Sequence, residues 1–221
     1  MTKVPLARSV KTRLQPFLSP DECAALAEAF LCDAARKAKK VSENVIVAFY
    51  PPGEFEKLKT ILPDRFVFVS QIGNDLGARM INAFDFAFKN NFDSVVMIGT
   101  DSPTFPADFI EHAFGFLETE SDAVLGKTAD GGFYLIGLRV LRKEIFANVV
   151  WSSPQTFEHT RENIINLDLS LSETPESYDV DAPSDFNQLQ NEFTSGENLS
   201  QLAPRTFKFL TEWKKLKFAN F

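Results

Sequence analysis

The run Ser94-Val-Val-Met-Ile-Gly-Thr-Asp-Ser-Pro103 restricts the possible folds of this chain more than any other stretch. From Val95 to Gly99 it carries neither charge nor polar alternation, the pattern of a strand buried on both faces of a parallel sheet. Asp101 follows just past the carboxyl end of that strand, at the edge where the loops of an open α/β sheet form a ligand crevice. Pro103 keeps Ser102 out of helical torsions and, with Pro106, delays the next helix until about Ala107. Position alone leaves two roles open for Asp101: a turn residue, or a hard ligand for a divalent cation that carries phosphates.

The segments on either side alternate between strand and helix periodicity. Ser19-Pro20-Asp21-Glu22 is a helix start with a capping box and proline at the first helical position. The helix is expected to run to about Lys40, with Leu26, Phe30, Ala34 and Ala38 on its packed face. Strands are expected at Asn44 to Tyr50 and Arg65 to Ser70, with a short helix from Phe55 to Leu62 between them. A helix from Asp75 to Asn90, with Leu76, Met80, Phe84 and Phe88 at every fourth position, delivers the chain to Val95. Strand, helix, strand in succession implies right-handed crossovers and a largely parallel sheet with helices on its faces. Beyond Asp101 the pattern predicts a helix over Ala107 to Leu117, a strand over Ala123 to Gly126, and a tight Asp130-Gly131-Gly132 turn into Phe133 to Leu138. A helix from about Pro154 to Ile165 leads into Asn166 to Leu171, a polar stretch from Glu173 to Asp185, and a helix through Phe193. After a Ser-, Gly- and Asn-rich linker ending near Ser200, Pro204 to Phe218 reads as an amphipathic helix. The expected organisation is one domain over residues 1–200, with the helix of 201–221 packed on it.

Composition excludes several function classes. With 221 residues, 44% hydrophobic, the chain fits one domain with a full-sized core. A net charge of -7 and a pI near 5.0 argue against nucleic acid as a main partner, because a phosphate backbone needs a basic face. Cys23 and Cys32 fall on opposite faces of one helix and so cannot pair while it holds. His112 and His159 lack zinc-site spacing. No apolar stretch is long enough to span a bilayer and no signal-peptide core precedes the first helix, so the expected compartment is the cytoplasm.

Three acidic turns then stand out: Asp101, Asp130 in Ala-Asp-Gly-Gly, and Asp179-Val-Asp181-Ala-Pro-Ser-Asp185. The first 15 residues have no strand pattern but hold Lys3, Arg8, Lys11 and Arg13, the most basic part of an acidic chain. Carboxylates to hold Mg²⁺ or Mn²⁺ and cations to neutralise phosphate are what a metal-dependent reaction of a nucleotide needs. Gly131 and Gly132 would let a ligand approach backbone. Lys11-Thr12 lacks the glycines of a P-loop, and no Gly-x-Ser-x-Gly elbow is present. Each acid alone is as compatible with an ordinary surface turn.

Taken in order, Lys3-x-Pro5, Lys11-Thr-Arg-Leu14, Leu76-Gly-x-Arg-Met80, Gly99-Thr-Asp-Ser-Pro103, Asp130-Gly-Gly-Phe-Tyr-Leu-Ile-Gly137, Trp151-Ser and Asp179-Val-Asp-x-Pro-x-Asp185 resemble a bacterial family of GT-A-like glycosyltransferases, also known as selenodomain-associated transferases. That family is similar to the nucleotidyltransferases that make molybdenum guanine dinucleotide and phospholactyl-guanosine. The resemblance spans residue 3 to about 190 and implies a three-layer nucleotide-diphospho-sugar transferase fold with a mostly parallel central sheet. It implies metal binding by Asp101 and Asp181, with Mg²⁺ or Mn²⁺ as cofactor. Lys3, Lys11, Arg13 and Arg79 would contact nucleotide phosphates, and Gln71 and Gly73 would lie near the base. Asp130, with Gly131, Gly132 and Trp151, would face the sugar or acceptor, which makes Asp101 and Asp130 the catalytic candidates. Two departures stand against the pattern. The apolar strand that the family carries before Lys3 is missing, and Ala7-Arg8 replaces Pro-Gly.

The implied activity is a metal-dependent transferase using a nucleotide-activated sugar and a small acceptor. Two alternatives are a nucleotidyltransferase joining a nucleoside triphosphate to a phosphorylated acceptor, and a non-catalytic nucleotide-binding module.

Overall fold

The computed structural model describes residues 1–15, 17–63, 66–195 and 198–218. Among these residues seven strands form two half-sheets. One has the order β1 (Thr2–Lys3), β2 (Ile46–Tyr50) and β3 (Val67–Ser70), all parallel. The other has the order β4 (Val95–Ile98), β6 (Phe133–Leu138), β5 (Ala123–Thr128) and β7 (Leu171–Ser177). β6 is antiparallel to both β4 and β5, whereas β7 is parallel to β5. The sheet is therefore mixed but mostly parallel, and its one reversal comes from the β5–β6 hairpin closed by the Asp130-Gly131-Gly132 turn. The Met1 amine joins the halves by donating to the Ile98 carbonyl at 2.8 Å.

Helices cover both faces of the sheet, as the α/β pattern requires. Along β5, Ala123 and Leu125 pack with Met80 and Phe84 of α3 (Leu76–Lys89) and Phe157 and Ile164 of α5 (Thr156–Asn166). The intervening Val124 packs with Ile110, Ala113 and Leu117 of α4 (Asp108–Thr119). α1 (Pro20–Val41) carries the expected capping box, with Ser19 and Glu22 bonding each other's backbone amide. Its Leu31 and Ala35 meet Val47 and Phe49 of β2 and Leu58 of α2 (Phe55–Ile61). Its Leu26 and Phe30 meet α6 (Pro183–Ser195), α7 (Leu199–Leu202) and α8 (Pro204–Phe218). Buried Asp33 of α1 fixes the start of α8 by accepting from the Arg205 and Thr206 amides and the Thr206 hydroxyl at 2.8–3.0 Å. Both cysteines are free.

Several expectations need correction. β4 is half-buried along its length rather than enclosed, because among the described residues its ladder runs to β6 alone and its other edge faces a cavity. A strand does exist near the start, where the sequence shows no strand pattern: Thr2–Lys3, two residues long and paired with Phe49 and Tyr50. β7 lies largely in the stretch from Glu173 that reads only as polar, with no element expected there. Its sequence Leu-Ser-Glu-Thr-Pro-Glu-Ser is polar because it is an edge strand, where Pro175 is tolerated and Glu173, Pro175 and Glu176 face water. The third strand begins at Val67, and the expected start at Arg65 lies outside the described residues.

Candidate active site

β4, β5 and β7 run in the same direction, so the loops that follow them emerge at one edge of the sheet. Asp101 leaves β4, Asp130 leaves β5, and Asp179 and Asp181 follow β7. The first and third loops are tied together: the Asp101 carbonyl accepts from the Val180 amide at 2.9 Å, and the Ser102 hydroxyl donates to Asp179 Oδ1. Asp185 accepts from the Asp181 and Ala182 amides at 3.0 and 2.7 Å, fixing the approach to α6.

Lys11 closes this arrangement. Its Nζ donates to Asp101 Oδ1 and, at 2.8 Å, to Asp181 Oδ1, so both carboxylates converge on one positive charge. The lysine side chain is 4% exposed, against 48% and 43% for the acids, so the cation lies beneath the two carboxylates. Burial opposes its charge, but Asp101 and Asp181 outweigh burial and hold its pKa above the ordinary lysine value. Its backbone is left-handed (φ 48°) and leads into a 3₁₀ turn, Thr12–Leu14, on which Arg13 is exposed. Asp179 responds in the opposite sense. Burial, with Asp101 and Asp181 adding repulsion, pushes its carboxyl up to about 7 despite the Ser102 hydroxyl and Lys11. Among the described residues no group of three or more His, Cys, Asp or Glu side chains is arranged to hold a metal ion.

Arg8, where the resemblance calls for glycine, adopts φ 66°. The loop thus keeps a left-handed residue without glycine's freedom.

A second group gathers at the carboxyl ends of β1 to β3. Lys3 is exposed opposite Tyr50. Arg79 lays its guanidinium 4.3 Å from the Tyr50 ring centroid and donates to the Gly73 carbonyl at 3.1 Å. Gly73 (φ 140°) packs so tightly on α3 that a Cβ would meet Ala78 Cβ at 2.7 Å. Buried Gln71 spends its amide protons on the Thr2 and Ala48 carbonyls at 3.0 and 2.9 Å, leaving only its oxygen for anything else.

At the third position, Asp130 Oδ1 accepts from the Thr128 hydroxyl at 2.6 Å and the Gly132 amide at 3.1 Å. The bare face of Gly131 is taken by the chain itself: a Cβ there would lie 2.1 Å from the Pro154 carbonyl oxygen. Trp151 is likewise committed to packing. A Cβ on Gly77 would lie 2.6 Å from its ring, and Phe133 and Phe146 flank it. Two of the ordered motifs, Leu76-Gly and Trp151-Ser, are thus in mutual contact.

Sequence reasoning passed over Ser102 and named Asp179 only as part of an acidic turn, with no role of its own, although both adjoin the acids to which it gave roles. It also passed over Lys37, whose position on α1 looks ordinary. Lys37 is 2% exposed, donates to the Pro103 carbonyl, and has its Nζ 4.5 Å from the Phe105 ring centroid, so it anchors the turn after Asp101. Burial lowers its pKa to about 7, with Arg36 adding to that and Asp33 opposing it. Between this value and the ordinary value of 10.5 the unfolded chain binds the proton that the folded chain has released, so this group makes stability rise with pH. We expect wild type to gain about 2 kcal/mol relative to Lys37→Met between pH 7 and 9. Parallel urea-melt stabilities for the two proteins across that range would contradict it.

Among the described residues no helix is long and apolar enough to cross a membrane. No protein of curated function matches the sequence. Among solved structures, a Desulfovibrio desulfuricans G20 protein provisionally named a nucleotide-diphospho-sugar transferase superposes with TM-score 0.88 at 29% identity, covering 97% of this chain and 93% of that one. The CMP:2-keto-3-deoxy-manno-octonic acid synthetase complexed with CTP has TM-score 0.52 and 12% identity over 75% of this chain and 88% of its own. An inositol-1-phosphate CTP transferase from T. maritima has TM-score 0.51 and 14% identity, over 87% and 94%. The last two share the fold alone. The fold is that of the nucleotide-diphospho-sugar transferases, as the ordered motifs imply. Residues 33–153, just over half of the chain, match the family described as "Uncharacterized protein conserved in bacteria (DUF2064)", and the chain belongs to that family.

Proposed function

We propose that the protein is a metal-dependent glycosyltransferase that uses a nucleotide-activated sugar. The observation that carries this reading is the convergence of Asp101 Oδ1 and Asp181 Oδ1 on one cation, Lys11 Nζ, at the ligand edge of the sheet. Two carboxylates that already share a positive charge fit Mg²⁺ or Mn²⁺, which is commonly held by one or two carboxylates with substrate phosphates and water completing the shell. The pair therefore suits a cation that arrives with a nucleotide. When bound, such a cation stabilises negative charge developing on the diphosphate as the bond between sugar and phosphate breaks.

The chain's own residues supply the rest. Lys11 gives its charge to the two acids, and a phosphate brought to them would meet the same charge. The Ser102–Asp179 bond and the Val180 amide hold the two acidic loops in register, so the carboxylates need little rearrangement on binding. Arg13 on the 3₁₀ turn after Lys11 and Lys3 at the end of β1 add exposed positive charge, and Asp130 is the residue at the hairpin that an acceptor hydroxyl would approach.

A second reading, nucleotidyl transfer from a triphosphate, gains support from Arg8. Its left-handed backbone preserves the turn that a glycine would otherwise make, so the loss of glycine does not by itself remove a phosphate-binding loop. The products separate the two readings. Glycosyl transfer releases a nucleoside diphosphate, whereas nucleotidyl transfer releases pyrophosphate. Incubation with Mn²⁺ and a panel of nucleotide sugars and triphosphates is expected to release diphosphate, and Asp101→Asn and Asp181→Asn should each lower that release about 100-fold or more. Pyrophosphate released from a triphosphate with a phosphorylated acceptor would favour the second reading, and full activity in both variants would move the site elsewhere.

A further inference from the structure

Cys23, Phe30 and Lys37 recur at every seventh residue of α1, which is close to two full helical turns, so they share one face of it. All three are buried, and each meets a different part of the site. The Cys23 thiol donates to the Lys11 carbonyl at 3.4 Å. The Phe30 ring centroid lies 5.2 Å from Lys11 Nζ, and Phe30 packs in the same cluster as Val180, whose amide holds the Asp101 carbonyl. The Lys37 ammonium donates to the carbonyl of Pro103, in the turn that carries Asp101. Lys11 therefore lies along this face, from its backbone at Cys23 to its ammonium at Phe30, where Asp101 and Asp181 receive it. Packing does not explain Lys37. A methionine would fill the space with no charge to bury, and among the described residues the ammonium has no ion pair to offset that cost.

We propose that this face of α1 is the positioning surface of the site: Lys37 fixes the turn that carries Asp101, Cys23 and Phe30 fix Lys11, and their spacing along the helix sets cation and acid at contact. The inference rests on the reading of Lys11, Asp101 and Asp181 as one site and not on the reaction assigned to it. Asp101, Ser102 and Pro103 are each tied by a different partner: the Val180 amide, the Asp179 carboxylate and the Lys37 ammonium. The first two partners belong to the loop after β7, which also carries Asp181, so those ties join acid to acid. Among the described residues the Lys37 bond is the one that ties the turn to α1. Without it the two acidic loops stay joined to each other but are free to shift as a unit against the lysine. A helix suits this task, because its backbone bonds are internal and a side chain on it is placed more closely than one on a loop.

The test reads the Lys11 ammonium itself, by nuclear magnetic resonance of the ligand-free full chain carrying isotope-labelled lysine. Buried against two carboxylates, its N–H protons are expected to exchange slowly with water. Lys37→Met should speed that exchange about 10-fold or more, although the hydrogen bond it removes is to neither Lys11 nor the acids. Leu31→Ala, on the face of α1 turned to β2, empties part of another core cluster and should leave the rate within about 2-fold of wild type. Cys23→Ala should raise the rate about 3-fold, and Cys23→Ser, which keeps a donor for the Lys11 carbonyl, should restore it. Unchanged exchange in Lys37→Met, or an equal rise in Leu31→Ala, overturns the proposal, and equal rates in the two Cys23 variants overturn it for the thiol. If Lys37→Met does not fold, the Cys23 pair against Leu31→Ala decides. Binding of a nucleoside diphosphate with Mn²⁺ carries the comparison to the occupied site: it should weaken about 10-fold in Lys37→Met and hold in Leu31→Ala, and unchanged binding in Lys37→Met likewise overturns the proposal. A wild type that binds neither Mn²⁺ nor nucleotide would count against the proposed function, and the exchange rates would still decide this inference.

Discussion

Lys11→Met is expected to destabilise the ligand-free protein by about 2 kcal/mol and to make its stability depend on divalent cations. Without the ammonium, Asp101 and Asp181 face each other uncompensated. Removing one partner from a fully buried ion group costs about 3–5 kcal/mol, and the half-exposed acids reduce that through solvent screening. Asp179, whose carboxyl is already pushed up to about 7, would feel the loss of a nearby positive charge as well. Millimolar Mn²⁺ should restore most of the lost stability in the variant and do much less for wild type, where Lys11 already occupies the position between the acids. Nucleotide binding should weaken in the variant even with Mn²⁺ present, since the lysine is no longer there to meet phosphate. The check is a set of melts of both proteins with and without Mn²⁺ and nucleotide. A variant as stable as wild type and indifferent to Mn²⁺ would mean that the two acids do not act as one cation site.

Gly131→Ala is expected to cost about 3 kcal/mol, visible as a drop in Tm of several degrees and in lower soluble yield. Two penalties combine. At φ 87° an L side chain is strained by about 1–2 kcal/mol, and the new methyl would lie 2.1 Å from the Pro154 carbonyl oxygen. Relief would have to move the Pro154 turn and break the 2.9 Å bond from the Phe157 amide to the Gly131 carbonyl that starts α5 on the sheet. Gly132→Ala is the matched control. Its Cβ would meet only the side-chain oxygens of Thr128 and Asp130 at 3.0 and 3.3 Å, and its φ lies outside the left-handed region, so a loss of about 1 kcal/mol or less is expected. Equal losses for the two alanines in a urea melt would show that the close approach of Pro154 does not set the requirement for glycine.

The helices were legible because their signals are local. A capping box, a proline at the first helical position and a repeat of Met80 and Phe84 act within a few residues, and the structure follows them to within a residue or two. The strand before Asp101 was legible as a strand for the same reason, since apolar side chains without polar alternation declare burial. Its neighbours were not, because pairing is a property of distant segments. Only the tertiary structure decided that β6 enters between β4 and β5 and reverses the local direction, that the polar run around Pro175 is a strand, and that one edge of β4 faces a cavity. The chemistry divides along the same line. The ordered motifs and the family they resemble marked Asp101, Asp181 and Lys11, each in a loop or turn between elements. That Lys11 meets both acids, that Asp179 lies buried beside them, and that Gly131 and Trp151 are bound up in packing depends on segments up to 170 residues apart, which only the folded chain brings together.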